Sequence, residues 1–303
     1  MSDATTRLGF VGIGRHATRL RDAFLSCGAR VEAYDRKDAL NVNVEPAWGK
    51  RVPWHAMVWG GYDGLTPMCD AVVCCAPPDV TAEVAEQCAR SGKRLLATKP
   101  LLVDWDTSQP LGAVEDRSIY VDLWRLYSPA WLALKAELRG KTIRSVHVDF
   151  YGNGPVRSTH SGLLDYGPHA LAFVLDLGLR PELVWRQGEI DTHRGKRIQW
   201  FATGRSGGVE VSVSTGNGWQ KPVMHVRIMA TDGSASYWLE DDKGKQSYLT
   251  REPDGVSGSS ALVLGCDRDL ALRNFCRAFL AGEPSDTLRI SCEAMRMLRQ
   301  AEP

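Results

Sequence analysis

Short apolar runs alternate with helical patterns over the first third of the chain. RLGFVGIG (7–14) is an apolar run that closes in glycines, RHATRLRDAFLSCG (15–28) carries its apolar residues at helical spacing, and RVEAYD (30–35) reads as a second strand. CDAVVCCA (69–76) is apolar without interruption, as a strand buried on both faces of a parallel sheet must be. TAEVAEQCARSG (81–92) is a helix closed by Gly92, and KRLLAT (93–98) is another strand. Strand, helix and strand in repetition predict a parallel sheet covered by helices. The residues from about 38 to 68 fit neither period: AWGKRVPWHAMVWGGYDGL sets three tryptophans among glycines and prolines, and one strand and one short helix are expected there.

Beyond about residue 120 the rhythm changes. SPAWLALKAELRG (128–140) is helical, TIRSVHVDFYG (142–152) alternates, and LLDYGPHALAFVLDLG (163–178) is helical again. ELVWRQGEI, RIQWFATG, GVEVSVSTG, VMHVRIMAT and SASYWLED then alternate in twos between glycine-bearing turns, which predicts an antiparallel sheet with one covered face. RDLALRNFCRAFLAGE (268–283) and ISCEAMRMLRQ (290–300) are closing helices. A chain of 303 residues exceeds the size at which one hydrophobic core stops growing. The change of rhythm divides it into residues 1–121 and 122–303, with the last helices free to pack back on the first part.

Composition narrows the partners. Thirty-seven basic against 36 acidic side chains leave a formal charge of +1, so no global field draws the chain to nucleic acid or an anionic membrane. A small molecule is the expected partner. There is no apolar run of eighteen residues and no secretion-signal pattern at MSDATTRLGF, so a cytoplasmic protein is expected. The eight cysteines contain no C-x-x-C pair, and Cys74 and Cys75 are adjacent inside an apolar run, which predicts buried reduced thiols and no metal site.

Gly12-Ile13-Gly14-Arg15-His16-Ala17 is G-x-G-x-x-A directly after a strand and at the start of a helix. In a dinucleotide site Gly12 makes the tight turn, Gly14 lets backbone approach a pyrophosphate, and a small residue at 17 packs helix on strand. Asp35 closes the second strand 23 residues after Gly12, near the spacing at which an acid meets an adenosine ribose hydroxyl. The alternative is an ordinary strand-to-helix turn. Asp35 repels a 2′-phosphate whereas Arg36 can pair with one, so NAD(H) is favoured over NADP(H) only slightly. Arg15 and His16 in the loop, Ala76 and Pro77 after the apolar strand, and Lys99 complete the cofactor candidates.

Lys99 follows the strand RLLAT and so stands at the carboxyl end of a parallel strand, where open α/β sheets bind ligands. Pro100 holds it out of helical geometry. The alternative is a surface loop lysine. Asp165 and His169 are four residues apart and share a helix face. Pro168 between them is tolerated in a first turn, which sets the pair at a helix N-terminus, where the dipole favours an ionised aspartate and a neutral histidine able to act as a base. The alternative is a capping aspartate beside a buried, satisfied histidine. Arg125, Tyr127, Tyr151, Asn153, Arg157 and His160 are substrate-pocket candidates that serve equally well as solvated loop residues.

In order and content these motifs resemble the Gfo/Idh/MocA family of NAD(P)-dependent oxidoreductases. DAVVCCAPPDVTAEVAEQCARSGKRLLATKPL looks like the family's strand, helix and strand leading into E-K-P, with Lys99-Pro100 matching and Thr98 where glutamate is usual. IYVDLWRLYSPAWLALKAEL looks like its entry into the second domain, and LLDYGPHALAFVLDLG is similar to its D-x-G-x-H-x-x-D helix, with Ala172 in place of the second aspartate. The resemblance implies an N-terminal Rossmann domain with a doubly wound parallel sheet and a C-terminal α/β domain with a large open, mainly antiparallel sheet. It implies that Lys99, Asp165 and His169 carry the chemistry, and that the protein is a homodimer or homotetramer. The expected reaction is hydride transfer between nicotinamide and a hydroxyl or keto carbon of a sugar, cyclitol or similar metabolite. The rivals are a C=N reductase, a non-catalytic dinucleotide-binding regulator and a redox-assisted glycosidase.

Overall fold

The computed structural model describes residues 5–35, 57–58, 68–100, 118–152, 161–192, 195–217, 223–230, 235–240, 246–252 and 261–301. The chain divides into two compact units, Met1–Asp122 with Leu272–Arg289, and Leu123–Ala271 with Ile290–Pro303.

The first unit is built on a six-stranded sheet. Its strands are β1 (Arg7–Val11), β2 (Arg30–Asp35), β3 (Met57–Val58), β4 (Ala71–Cys74), β5 (Arg94–Ala97) and β6 (Ile119–Val121), in the order β3-β2-β1-β4-β5-β6. Every pairing is parallel. The strand expected between residues 38 and 68 is β3, and the short helix expected there falls outside the described residues. Helix α1 (Arg15–Ser26) joins β1 to β2, and α2 (Pro78–Arg90) joins β4 to β5. Burial of Leu8, Phe10, Val72, Val73, Leu95 and Leu96 explains why these strands read as continuous apolar runs.

Residues from the end of the chain complete this unit. On α5 (Arg268–Ala281), Phe279 meets Tyr120 edge-on at 5.0 Å and Phe24 at 5.6 Å. The Arg94 guanidinium lies 5.6 Å from the centre of the Phe279 ring and donates to the Leu280 carbonyl at 2.9 Å. The Val121 N–H donates to the Thr287 hydroxyl at 3.0 Å, so the outermost strand β6 is held from its open side.

The second unit opens with a short 3₁₀ helix (Trp124–Tyr127) and α3 (Pro129–Glu137), followed by β7 (Ile143–Gly152) and α4 (Gly162–Asp176). Strands β8 (Glu182–Thr192), β9 (Gly195–Ser206), β10 (Val209–Asn217), β11 (Val223–Ala230), β12 (Ala235–Glu240), β13 (Gln246–Glu252) and β14 (Ala261–Asp267) come next, and α6 (Thr287–Arg299) contributes from Ile290. The sheet order is β14-β13-β12-β11-β7-β10-β9-β8, two strands longer than the alternation predicts. All neighbours are antiparallel except β7 and β10. The exception follows from connectivity: α4 carries the chain from β7 to the far edge, and two reversals bring β10 back in the direction of β7.

Alternation on β7 sends Val146, Val148 and Phe150 into the core beneath α4, and sends His147, Asp149 and Tyr151 to the opposite face. The helix departs from expectation in one respect. It starts at Gly162, with the Ser161 hydroxyl accepting from the Leu164 N–H at 3.2 Å, so Pro168 lies in the second turn and not the first. A proline there removes the hydrogen bond to the Leu164 carbonyl at a cost of about 3 kcal/mol. Burial of Leu163, Leu164, Leu171, Phe173, Val174 and Leu175 offsets it.

Candidate functional site

The first unit gathers its chemistry at the carboxyl ends of its strands. Gly12 has φ +78, and a Cβ on it would sit 2.9 Å from the backbone of Cys75 and Ala76, so the tight turn itself demands glycine there. Gly14 is different. Its φ is −74 and a Cβ on it would meet none of the described residues within 4 Å, so neither conformation nor packing against them calls for glycine. The space it leaves open adjoins the first turn of α1, whose N-cap has no side-chain hydrogen bond and whose first turn carries no acidic residue. Arg15 is exposed beside it, and Ala17 is fully buried where helix meets strand. A phosphate fits this cradle, since backbone N–H groups and the helix dipole face it.

The other candidates lie along the same edge. Asp35 ends β2 and pairs in register with Val11. Arg36 falls outside the described residues. Ala76 borders the Gly12 turn, and Pro77 caps α2. Lys99 follows β5, half-buried, with a cis bond to a buried Pro100. The Thr98 N–H donates to the Cys74 carbonyl and the Asp122 N–H to the Ala97 carbonyl, both at 2.9 Å, so the ends of β4, β5 and β6 are tied together. Burial pushes the Cys75 thiol well above the ordinary thiol range, which leaves it a poor nucleophile.

One residue at this edge escaped the sequence reading. Asp122 follows β6, is 3% exposed, and bonds through Oδ2 to His16 Nε2 at 2.5 Å. Its Oδ1 is buried with no hydrogen-bond partner among the described residues. The criterion that singles out Lys99, a charged group closing an apolar strand, applies equally to Asp122 in IYVD.

In the second unit Asp165 and His169 are both buried, at 7% and 8% exposure, one turn apart on α4. The His169 ring stacks on Phe150 with centroids 5.0 Å apart and planes 25° apart. The Arg125 guanidinium, on the 3₁₀ helix, lies 5.1 Å from the same Phe150 ring and 4.3 Å from Trp124. Tyr166 tilts against Phe150 at 6.4 Å. Phe150 thus draws Arg125 and His169 together, a role its place in a strand alternation did not reveal. Tyr127, half-buried, closes the 3₁₀ helix. Tyr151 is not brought to this cluster: it sits on the other face of β7, where its hydroxyl bonds Ser214. Asn153, Arg157 and His160 fall outside the described residues. Ala172, where the family helix carries an acid, is 2% exposed, so a carboxylate there would need a buried partner.

The chain matches no protein-family model and no curated protein sequence. It does match solved structures over almost its whole length. A dehydrogenase from Chromobacterium violaceum superposes with a TM-score of 0.77 at 16% identity, covering 99% of this chain and 94% of that one. Myo-inositol 2-dehydrogenase from Lactobacillus plantarum gives 0.74 at 14% identity, covering 98% and 96%. The 3-ketoreductase KijD10 from Actinomadura kijaniata, a lysine-to-alanine mutant in complex with NADP and TDP-benzene, gives 0.72 at 19% identity, covering 98% and 96%. The chain therefore has the fold of these dehydrogenases and reductases, a parallel dinucleotide-type sheet followed by a mixed eight-stranded sheet.

Proposed function

We propose that the protein is an NAD(P)-dependent oxidoreductase of the Gfo/Idh/MocA type, acting on a hydroxyl or keto carbon of a sugar, cyclitol or similar polar metabolite. The observation that carries this reading is the carboxyl edge of the parallel sheet, where Gly14 leaves space at the start of α1 and Lys99 stands at the end of β5. Gly12, Gly14 and the first turn of α1 would hold the pyrophosphate, and Asp35 the adenosine ribose. Asp35 favours NAD(H) slightly, Arg36 keeps NADP(H) open, and NADP in the KijD10 complex supports the cofactor class.

When bound, the nicotinamide supplies or accepts the hydride. The chain's part is to hold protons and oxygens. A ring nitrogen of His169 takes the hydroxyl proton in oxidation and returns it in reduction, with Asp165 one turn away ordering the ring. Lys99 Nζ donates a hydrogen bond to a substrate oxygen, its stem lying along apolar surface. In this reading the protein works in the cytoplasm as a homodimer or homotetramer; among the described residues no helix is long and apolar enough to cross a membrane.

The test is anaerobic incubation with NADH or NADPH and a panel of keto sugars and keto cyclitols. Oxidation of the cofactor is expected, and binding without turnover on any of them counts against the reading. Lys99→Met should lower kcat by about a hundredfold or more and leave cofactor affinity within a few-fold, since a group that polarises the reacting oxygen acts chiefly in the transition state.

A further inference from the structure

The parallel sheet is wound in two directions from the gap between β1 and β4, and each half of such a sheet takes one half of a dinucleotide. Asp35 belongs to the half formed by β1, β2 and β3, which is the adenosine side. Asp122 closes β6, the last strand of the other half. Its side chain turns back toward the loop, because His16 in the first turn of α1 reaches its Oδ2 at 2.5 Å, and it lies within electrostatic reach of Cys75 at the end of β4. So the carboxyl group stands at the mouth of the crevice, beside the phosphate loop, on the nicotinamide side.

Its second oxygen is the telling atom. Oδ1 of Asp122 is buried and has no hydrogen-bond partner among the described residues, on a side chain only 4% exposed. Burying a carboxyl oxygen without a donor is costly, and such atoms in native proteins call for an explanation. The His16 contact accounts for Oδ2 and leaves Oδ1 to be accounted for. A nicotinamide riboside carries the missing complement: ribose hydroxyls and a carboxamide N–H₂, all donors.

We propose that Asp122 is a cofactor-binding residue whose Oδ1 accepts a hydrogen bond from a donor on the nicotinamide riboside, with His16 as the positioning residue that holds Oδ2. This rests on the dinucleotide reading given above. The imidazole fixes the rotation of the carboxyl group, and with it the position of Oδ1.

The experiment is calorimetric titration of the whole protein and of Asp122→Asn and Asp122→Ala with ADP, ADP-ribose and NAD, or with their 2′-phosphorylated counterparts if the wild type prefers them. ADP lacks the nicotinamide riboside, ADP-ribose adds its ribose, and NAD adds the carboxamide. The expected result is ADP affinity unchanged and NAD affinity weakened about ten- to a hundredfold, as for loss of a hydrogen bond to a charged acceptor. A parallel loss for ADP-ribose assigns the donor to the ribose, and an undiminished ADP-ribose affinity assigns it to the carboxamide. ADP binding doubles as the check that the loop is folded, and if Asp122→Ala does not fold, Asp122→Asn decides. Equal affinities of variant and wild type for all three probes overturn the proposal, because no donor of the cofactor then reaches Oδ1. Equal weakening of all three overturns it too, because Asp122 then acts on the loop alone. A wild type that binds none of the probes defeats the dinucleotide reading instead.

Discussion

Two aspartates in this protein each hold a histidine, and they are put to different use. At the edge of the parallel sheet, buried Asp122 gives one oxygen to His16 and keeps the other without a partner. On the mixed sheet, Asp149 accepts from His147 Nε2 at 2.9 Å and has His225 Nδ1 at 3.8 Å, while His147 Nδ1 is bonded to the Ser212 hydroxyl at 2.7 Å. The second group lines up serine, histidine and aspartate at hydrogen-bonding distance, and yet it is no hydrolytic site. Ser212 lies in the middle of β10, paired on both sides with Thr203 and His147, so the N–H groups that an oxyanion would need belong to the ladder. Residue types and distances are alike in the two places. What separates them is position: one pair stands where strands end and a ligand can enter, the other in mid-strand with its polar atoms spent on one another.

If that distinction holds, breaking the mid-strand pair should cost stability and nothing else. Asp149→Ala takes from His147 its acceptor and from His225 a neighbouring carboxylate, and a loss of about 1–3 kcal/mol is expected, seen as a Tm lower by several degrees. ADP and NAD affinities should stay at wild-type values. The effect has a pH signature. Burial draws the Asp149 carboxyl up, but the hydrogen bond from His147 and the contact with His225 outweigh it and hold it well below the ordinary 3.8. The hydrogen bond to Asp149 holds His147 above its ordinary 6.5 against the pull of partial burial. The aspartate's contribution is complete above about pH 3.8 and fades as pH falls through its lowered value. The histidine's is complete below about pH 6.5 and fades as pH rises through its raised value. The difference in Tm between wild type and Asp149→Ala should therefore be widest between those limits and narrow at both ends. A difference independent of pH would mean that packing, and not the ion pair, is at stake.

The converse change belongs to the parallel sheet. Gly14→Ala places a methyl group in the open space beside α1, where none of the described residues lies within 4 Å. Stability should change by no more than about 1 kcal/mol, since glycine is the better N-cap but alanine fits this negative φ and loses less chain entropy on folding. Affinity for ADP should fall about tenfold, because the methyl group occupies the approach of the pyrophosphate to the backbone. An unaltered affinity would show that the space is not the phosphate cradle.

How far the sequence revealed this contrast depended on the kind of signal. The parallel sheet was legible strand by strand, because Leu8, Phe10, Val72, Val73, Leu95 and Leu96 are buried on both faces and leave unbroken apolar runs. The loop was legible because Gly12 and Ala17 answer to steric demands that few other residues meet. Lys99 stood out as a charge closing an apolar run. Asp122 met the same test and passed unnoticed, since its meaning lies in an atom left unpaired, which no spacing displays. The pattern placed the start of α4 within one residue, but a local rule put Pro168 in its first turn, where burial along the helix overrode it. Phe150 as the meeting point of Arg125 and His169 was not legible, because it joins the 3₁₀ helix, β7 and α4, and such a meeting exists only in three dimensions. The parallel pairing of β7 with β10 was hidden for the same reason.

The smallest expected effect sharpens the comparison from the serine's side. The Ser212 hydroxyl donates to Nδ1 while His147 is neutral, and accepts from it once the ring carries a second proton. It can serve either state by rotating, so it biases the histidine's titration little. Ser212→Ala should then cost only about 0.5–1.5 kcal/mol, the net worth of one hydrogen bond, with the same loss on both sides of the His147 titration. A catalytic serine would behave otherwise: hydrolysis of activated esters by the wild type, abolished in Ser212→Ala, would show that mid-strand placement does not disarm the line of three residues. With no such activity in the wild type and a small, pH-independent fall in Tm in the variant, the group is a brace within the sheet. The difference between it and His16 with Asp122 then rests where the geometry puts it, on which carboxyl oxygen is left waiting for a donor.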